Sequence, residues 1–284
     1  MAGDYDLEHI KRMFLKAAEE SFGTNISFIF LSGSVAYGGG RVGHSDIDVA
    51  IILKDESYRM AHNARIDTIV GFGQQYVSIH NQTGFIPDTL FPGEIVTDGL
   101  LRDAAAGRGF SIENMEISLP PASDEYYLAT AEHWFRAWLS MSAFSVFVFG
   151  DMQAWEENKI LAWQTIIRYI LLRTDMQSLN SDLIINSLLN EKNKWVGFGI
   201  TSNYKSFREL EIHYIQKALT KLLTGKFIQV NPRLAGTYVP NVERLTQWGR
   251  ETASQVNSGK IRQHALFVDI QDQLEISKRL HELA

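Results

Sequence analysis

The sequence predicts an α+β protein, with an N-terminal domain of mixed helix and strand over residues 1–121 and an all-helical domain over residues 122–284. Three observations predict it. Short β-branched and aromatic runs alternate with helical patterns as far as Pro121. Beyond that point apolar residues recur at spacings of three and four almost throughout. Pro120-Pro121, between the two regions, is the strongest boundary signal in the chain.

Asp6 is placed to cap a helix carrying Leu7, Ile10, Phe14 and Ala18 on one face, and Gly23 to stop it. Asn25 to Leu31 (NISFIFL) reads as a strand. Gly33 to Gly43 is a glycine-heavy turn with room for a short helix, and Asp46 to Leu53 (DIDVAIIL) is a second strand. Ser57 to Thr83 is predicted helical with Gly84 as its stop, although Gly71 and Gly73 interrupt its middle. The two prolines of Phe85 to Thr97 suit an edge strand or an extended segment, and Asp98 to Ala106 a short helix. In the second half, Ile160, Trp163, Ile167, Ile170 and Leu171 make one apolar stripe. Phe207, Leu210, Tyr214, Ala218 and Leu222 make another, and Asn241 to Gln255 and Ile261 to Leu283 are read as two further helices. Tyr126 to Phe149 is the most apolar stretch, but Glu132, His133 and Arg136 interrupt it, so it reads as a buried helix rather than a membrane span.

Composition removes several function classes. The 284 residues include no cysteine, which excludes disulfides, thiolate nucleophiles and cysteine-ligated metal centres. A net charge of −6 disfavours a polybasic nucleic-acid binder. The acidity is concentrated: residues 1–122 hold 9 basic against 16 acidic side chains, and the remainder 18 against 17. Asp4, Asp6 and Glu8 give the first residues the wrong sign for a secretory or transit peptide, so a soluble cytoplasmic protein is expected.

One constellation carries chemistry. Residues 31–53 read LSGSVAYGGGRVGHSDIDVAIIL: strand, Gly33-Ser34, glycine-rich turn, then Asp46-Ile47-Asp48 opening the next strand. Alternation along extended chain sends Asp46 and Asp48 to one face, with α-carbons roughly 7 Å apart. Two such carboxylates tolerate proximity best with a cation between them, and hard oxygen donors without histidine or cysteine favour magnesium. Magnesium held by few carboxylates completes its shell with water and substrate phosphates. Gly33 and Ser34 offer what a polyphosphate needs: main-chain N–H groups unobstructed by a β-carbon, and a hydroxyl. No Gly-Lys-Ser/Thr follows, so the turn is not a Walker loop, and no helix of dinucleotide-fold length separates the strands.

The order Gly33-Ser34, eleven residues, then Asp46-Ile47-Asp48 running into Val49-Ala50-Ile51-Ile52 resembles the signature of the DNA polymerase β-like nucleotidyltransferase superfamily. Within it, the layout with a helical second half is similar to the two-domain aminoglycoside nucleotidyltransferases. The resemblance implies a small mixed sheet with flanking helices. It also implies Mg²⁺-dependent transfer of a nucleoside monophosphate, AMP from ATP being the leading choice, to a hydroxyl of a small-molecule acceptor. In this reading Asp46 and Asp48 hold two Mg²⁺ ions while Gly33 and Ser34 cradle the phosphates. A third carboxylate, acting as metal ligand or base, comes from a neighbouring strand; Asp88 and Glu94 share parity in the extended segment and are its candidates. Arg41, His44 and Ser45 lie in the turn as candidate nucleotide contacts, solvent being the alternative for Arg41 and His44.

The acceptor is expected to be small, hydroxylated and cationic, an aminoglycoside being the model, and the acidity of residues 1–122 suits it. The alternatives are a toxin or regulator that nucleotidylates tRNA or protein, and a catalytically silent nucleotide-binding module. A concentrated basic run that would favour the first is missing from the helical half, and the intact Asp-x-Asp argues against the second. Glu156, Glu157 and Lys159 open the helix of the Trp163 stripe, where the resemblance allows a charged residue to close over the site; acidic residues there also complement the helix dipole. His62, His80, His133 and His213 have no metal-ligand spacing, and Gly71-Phe72-Gly73 has no phosphate context.

Overall fold

Three short apolar runs expected from the sequence, and a fourth that is not, build a sheet. The computed structural model describes residues 5–87, 94–109, 131–174, 176–189, 206–257 and 270–283. Helix α1 (Leu7–Phe22) starts where Asp6 accepts a hydrogen bond from the His9 amide at 3.0 Å, and ends at Gly23 with φ +53°. Strand β1 (Ile26–Leu31) follows, then a four-residue helix α2 (Gly33–Ala36), strand β2 (Val49–Leu53) and helix α3 (His62–Thr83), which stops at left-handed Gly84. Strand β3 (Glu94–Thr97) leads directly into helix α4 (Asp98–Ala105). Further along come α5 (Ala131–Ala143), β4 (Val146–Gly150), α6 (Met152–Arg173), α7 (Ser181–Leu189) and α8 (Phe207–Thr224). Strands β5 (Ile228–Val230) and β6 (Tyr238–Pro240), then helices α9 (Val242–Asn257) and α10 (Ile270–Leu283), complete the order among the described residues.

The four-stranded sheet runs β3-β2-β1-β4 and is mixed: β1 is antiparallel to both β2 and β4, whereas β2 and β3 are parallel. Every residue of β2 is buried, as a central strand covered on both faces requires. The class expected from the sequence, a mixed sheet with flanking helices and a helical region after it, is the one observed.

Four local readings need correction. The helix expected as far as Phe149 stops at Ala143, and Val146–Gly150 pairs with β1 instead. The β-branched and aromatic side chains of Val146, Phe147, Val148 and Phe149 fit a pleated surface, and Gly150 (φ +97°) ends the strand. The helical region carries the β5–β6 hairpin as well. The segment Asp46 to Asp48 precedes β2, which begins at Val49; the Ser32 amide still donates to the Asp48 carbonyl at 2.9 Å and continues the pairing by one step. Residues 55–59 form a separate 3-10 turn, so α3 starts only at His62. Pro120-Pro121 lies outside the described residues, as does Asp88.

The chain divides into two compact units. The first comprises residues 1–101, 144–156 and 262–284, the second residues 102–143 and 157–261. In the first, α1 and α3 pack together, and α10 returns to α3: Leu280 lies against Gly73, Arg279 pairs with Asp67 at 2.9 Å, and His62 meets Asp272 at 3.2 Å. In the second, Lys159 and Glu211 are wholly buried. Lys159 Nζ donates to the Ala143 carbonyl at 2.7 Å and to Glu211 Oε1 at 2.8 Å, and Trp163 Nε1 donates to Glu211 Oε2 at 2.9 Å. Burial pulls the Lys159 pKa down, and the Glu211 charge opposes that pull. Glu211 therefore takes the inward position on α8, and Leu210, expected on the apolar stripe, faces solvent. Arg168 sits over the rings of Phe227 and Trp248, and burial together with the Arg244 charge lowers its pKa to about 10. Among the described residues no helix is long and apolar enough to cross a membrane.

Candidate active site

The end of β1 and the start of β2 meet at Gly33. This residue follows buried Ser32, has φ +66°, and opens α2. A β-carbon at Gly33 would fall on the Asp48 carboxylate, so the missing side chain is what lets Asp48 lie against the turn. Ser34 is half-buried beside it, and its carbonyl accepts from the Gly39 amide at 2.8 Å, which folds the turn back.

The glycine-rich loop is closed by its own polar groups. The Arg41 amide donates to Ser45 Oγ at 3.0 Å, the Ser45 amide donates to the Arg41 carbonyl at 2.8 Å, and the Gly43 amide reaches the Gly84 carbonyl at 2.8 Å. Ser45 thus has a turn-forming role that sequence spacing did not distinguish from contact with nucleotide. The side chains of Arg41 and His44 are exposed.

Asp46 and Asp48 flank Ile47, which is fully buried, and Asp46 is half-buried, as the alternation of extended chain leads one to expect. Glu94 opens β3 directly beside Ala50 in the parallel register. Paired residues on neighbouring strands share a face, and Ala50 lies two steps from Asp48, so Glu94 falls on the same side of the sheet as Asp48. Asp88, the other candidate for third carboxylate, lies outside the described residues. Among the described residues no three histidine, aspartate or glutamate side chains converge tightly enough to form a metal cage on their own. Two hard carboxylates beside an unobstructed turn nevertheless fit a cation whose shell is finished by phosphate and water.

Two residues in this neighbourhood escape a reading of the sequence. Ser32 is buried with its hydroxyl unpartnered. His80 of α3, fully buried, accepts a hydrogen bond from the Ile47 amide at 3.0 Å. A metal-spacing search passes over such a histidine, because its partner is main chain 33 residues away. Lys159, a candidate in the sequence for closing over the site, is paired with Glu211 at 2.8 Å.

Residues 11–103 match the family model of the nucleotidyltransferase domain. No curated protein and no solved structure gives a significant match. The matched nucleotidyltransferase domain spans most of α1 and continues through β1, β2, α3, β3 and most of α4, and it contains Gly33, Ser34, Asp46, Asp48 and Glu94. Its family is one of transferases of phosphorus-containing groups, so nucleotidyl transfer is the general chemistry of this domain. Strand β4 and helix α10 lie beyond the matched segment yet complete the same unit.

Proposed function

We propose that this protein transfers a nucleoside monophosphate, AMP from ATP, to a hydroxyl group of a small cationic acceptor of the aminoglycoside type, with release of pyrophosphate and dependence on Mg²⁺. The observation that carries this reading is Gly33 lying against Asp48: a phosphate-accommodating turn and a carboxylate are held in contact by one residue without a side chain. The support for a cationic acceptor is the concentration of acidic residues in positions 1–122.

Gly33 and Ser34 receive the terminal phosphates on main-chain N–H groups and the Ser34 hydroxyl. Asp46 and Asp48 hold the Mg²⁺ ions. Bound there, magnesium supplies neutralisation of charge on the reacting phosphate and the leaving pyrophosphate. Glu94 serves as a further ligand or takes the proton of the acceptor hydroxyl as its oxygen bonds the α-phosphorus and the bond from that phosphorus to the pyrophosphate oxygen breaks. Positioning and electrostatics carry the rate, because the acceptor oxygen attacks the phosphorus directly.

The test is incubation with each labelled NTP and Mg²⁺ against an aminoglycoside panel, bulk tRNA and lysate protein, following label and pyrophosphate. Label on a small molecule is the expected result; label on tRNA or protein alone would overturn the acceptor class and leave nucleotidyl transfer standing. Asp48→Asn and Asp46→Asn are each expected to lower transfer by about 10³-fold or more with an unchanged melting temperature. Glu94→Gln is expected to lose about 10²–10⁴-fold. Wild-type turnover in Asp48→Asn would defeat the assignment.

A further inference from the structure

The imidazole of His80 spends both of its nitrogens on main chain. Nε2 lies 3.0 Å from the amide nitrogen of Ile47, and Nδ1 lies 2.9 Å from the Tyr76 carbonyl, one turn back along α3. Only one tautomer satisfies both contacts. The Ile47 N–H has to donate, so Nε2 is bare, and the proton sits on Nδ1 and is given to Tyr76. The ring is wholly buried beside the side chains of Phe14 and Tyr76, with centroids 6.2 and 4.3 Å away.

What makes this contact informative is where it lands. Ile47 is the residue between Asp46 and Asp48, and it precedes the β2 ladder, whose first pair is Leu31 with Val49. Its N–H is therefore a buried donor outside the regular strand pairing, and leaving such a group unsatisfied costs about 1–3 kcal/mol. His80 supplies the acceptor and in doing so fixes the peptide plane that joins Asp46 to Ile47. Rotation about that segment would change where Asp46 points relative to Asp48.

We propose that His80 is a positioning residue for the Asp46–Asp48 pair, holding the Ile47 amide so that both carboxylates face the nucleotide together. This rests on the nucleotidyltransferase reading above and adds to it a residue from α3 that touches neither nucleotide nor acceptor. A geometric error of about 1 Å at such a pair is enough to cost about 10²-fold in rate.

The experiment compares four variants of the full chain. His80→Gln keeps an acceptor at the reach of Nε2; His80→Asn is polar but too short; His80→Leu has no acceptor; Asp48→Asn is the control for the site itself. Binding of Mn²⁺ together with a non-hydrolysable ATP analogue is measured by calorimetry, with melting temperature as the measure of folding. Expected is a loss of about 10-fold or more in Mn²⁺–nucleotide affinity in His80→Leu and His80→Asn, one tenfold step being about 1.4 kcal/mol, with His80→Gln recovering most of it. A merely structural histidine would lower the melting temperature of all three alike and leave affinity unchanged in those that fold. Affinity equal to wild type in folded His80→Leu, with Asp48→Asn weakened, overturns the inference and leaves the function reading intact. Unweakened binding in Asp48→Asn overturns the function reading first. A wild-type measurement stands apart from any folding defect: nitrogen NMR of the imidazole is expected to show Nε2 unprotonated and bonded to the Ile47 amide, and a protonated Nε2 would overturn the proposal.

Discussion

Gly33 shows how a single absent methyl group decides what can lie against a turn. Alanine there would have to adopt φ +66°, a conformation costing about 1–2 kcal/mol for a residue with a β-carbon. It would also push the Asp48 carboxylate off the turn. Gly33→Ala is therefore expected to cut nucleotidyl transfer by about 10²-fold while the protein still melts cooperatively, a comparison that initial rates and calorimetry make directly. His80 gives a prediction of a different kind. Burial lowers its pKa below the ordinary 6.5, against the opposing effect of the Tyr76 carbonyl, and the rings facing it belong to Phe14 and Tyr76. The unfolded chain thus binds a proton more readily than the folded one. Stability from this source is complete above the ordinary pKa of 6.5 and declines as the pH falls through the lowered folded value. The melting temperature is expected to drop between about pH 7.5 and pH 5.5, and His80→Gln to flatten that drop. At this scale the sequence singles out Gly33, Ser34, Asp46 and Asp48 as candidates, because their chemistry is local and their order informative. It did not single out His80, whose contact is with main chain far away in sequence. Nor did it foresee the turn-forming bonds of Ser45, since a hydroxyl suits either a turn or a nucleotide contact.

Among the elements, α10 is the one whose partner periodicity alone does not reveal. Its amphipathic pattern announces a helix that buries one face, and the structure shows α3 receiving it where Gly73 removes a side chain from the contact. A β-carbon at Gly73 would come within 2.8 Å of Leu280 Cδ2. Leu280→Ala is expected to destabilise the protein by about 2–5 kcal/mol through the cavity it leaves. Adding Gly73→Ala to that variant places a methyl group toward the cavity. The double variant is then expected to fall short of the sum of the single losses by about 0.5 kcal/mol or more, as denaturant titration of all four proteins would show. Strand β4 is hidden in the sequence for a related reason. A short apolar run next to a helical one carries no periodicity that tells strand from helix, and only the proximity of β1 decides the matter. Glu211 misleads the α8 stripe because a charged residue is ordinarily assigned to water, whereas Lys159 and Trp163 satisfy it inside.

The whole molecule is organised less linearly than a boundary at Pro120-Pro121 suggests. Its first unit is assembled from residues 1–101, 144–156 and 262–284, so the nucleotidyltransferase signature is local while the unit that houses it is not. A fragment of residues 1–121 lacks β4 and leaves the apolar strand β1 with an unpaired edge. Such an edge invites pairing between chains. The fragment is expected to aggregate in light scattering at concentrations where the full chain does not. The same interleaving bears on synthesis in the cell. Protein emerges from the ribosome at about 5–20 residues per second, so helix α10 leaves the exit tunnel on the order of ten seconds or more after β3. Throughout that interval the nascent sheet waits for partners still being translated, which makes this chain a candidate client for chaperones that shield hydrophobic strands during elongation.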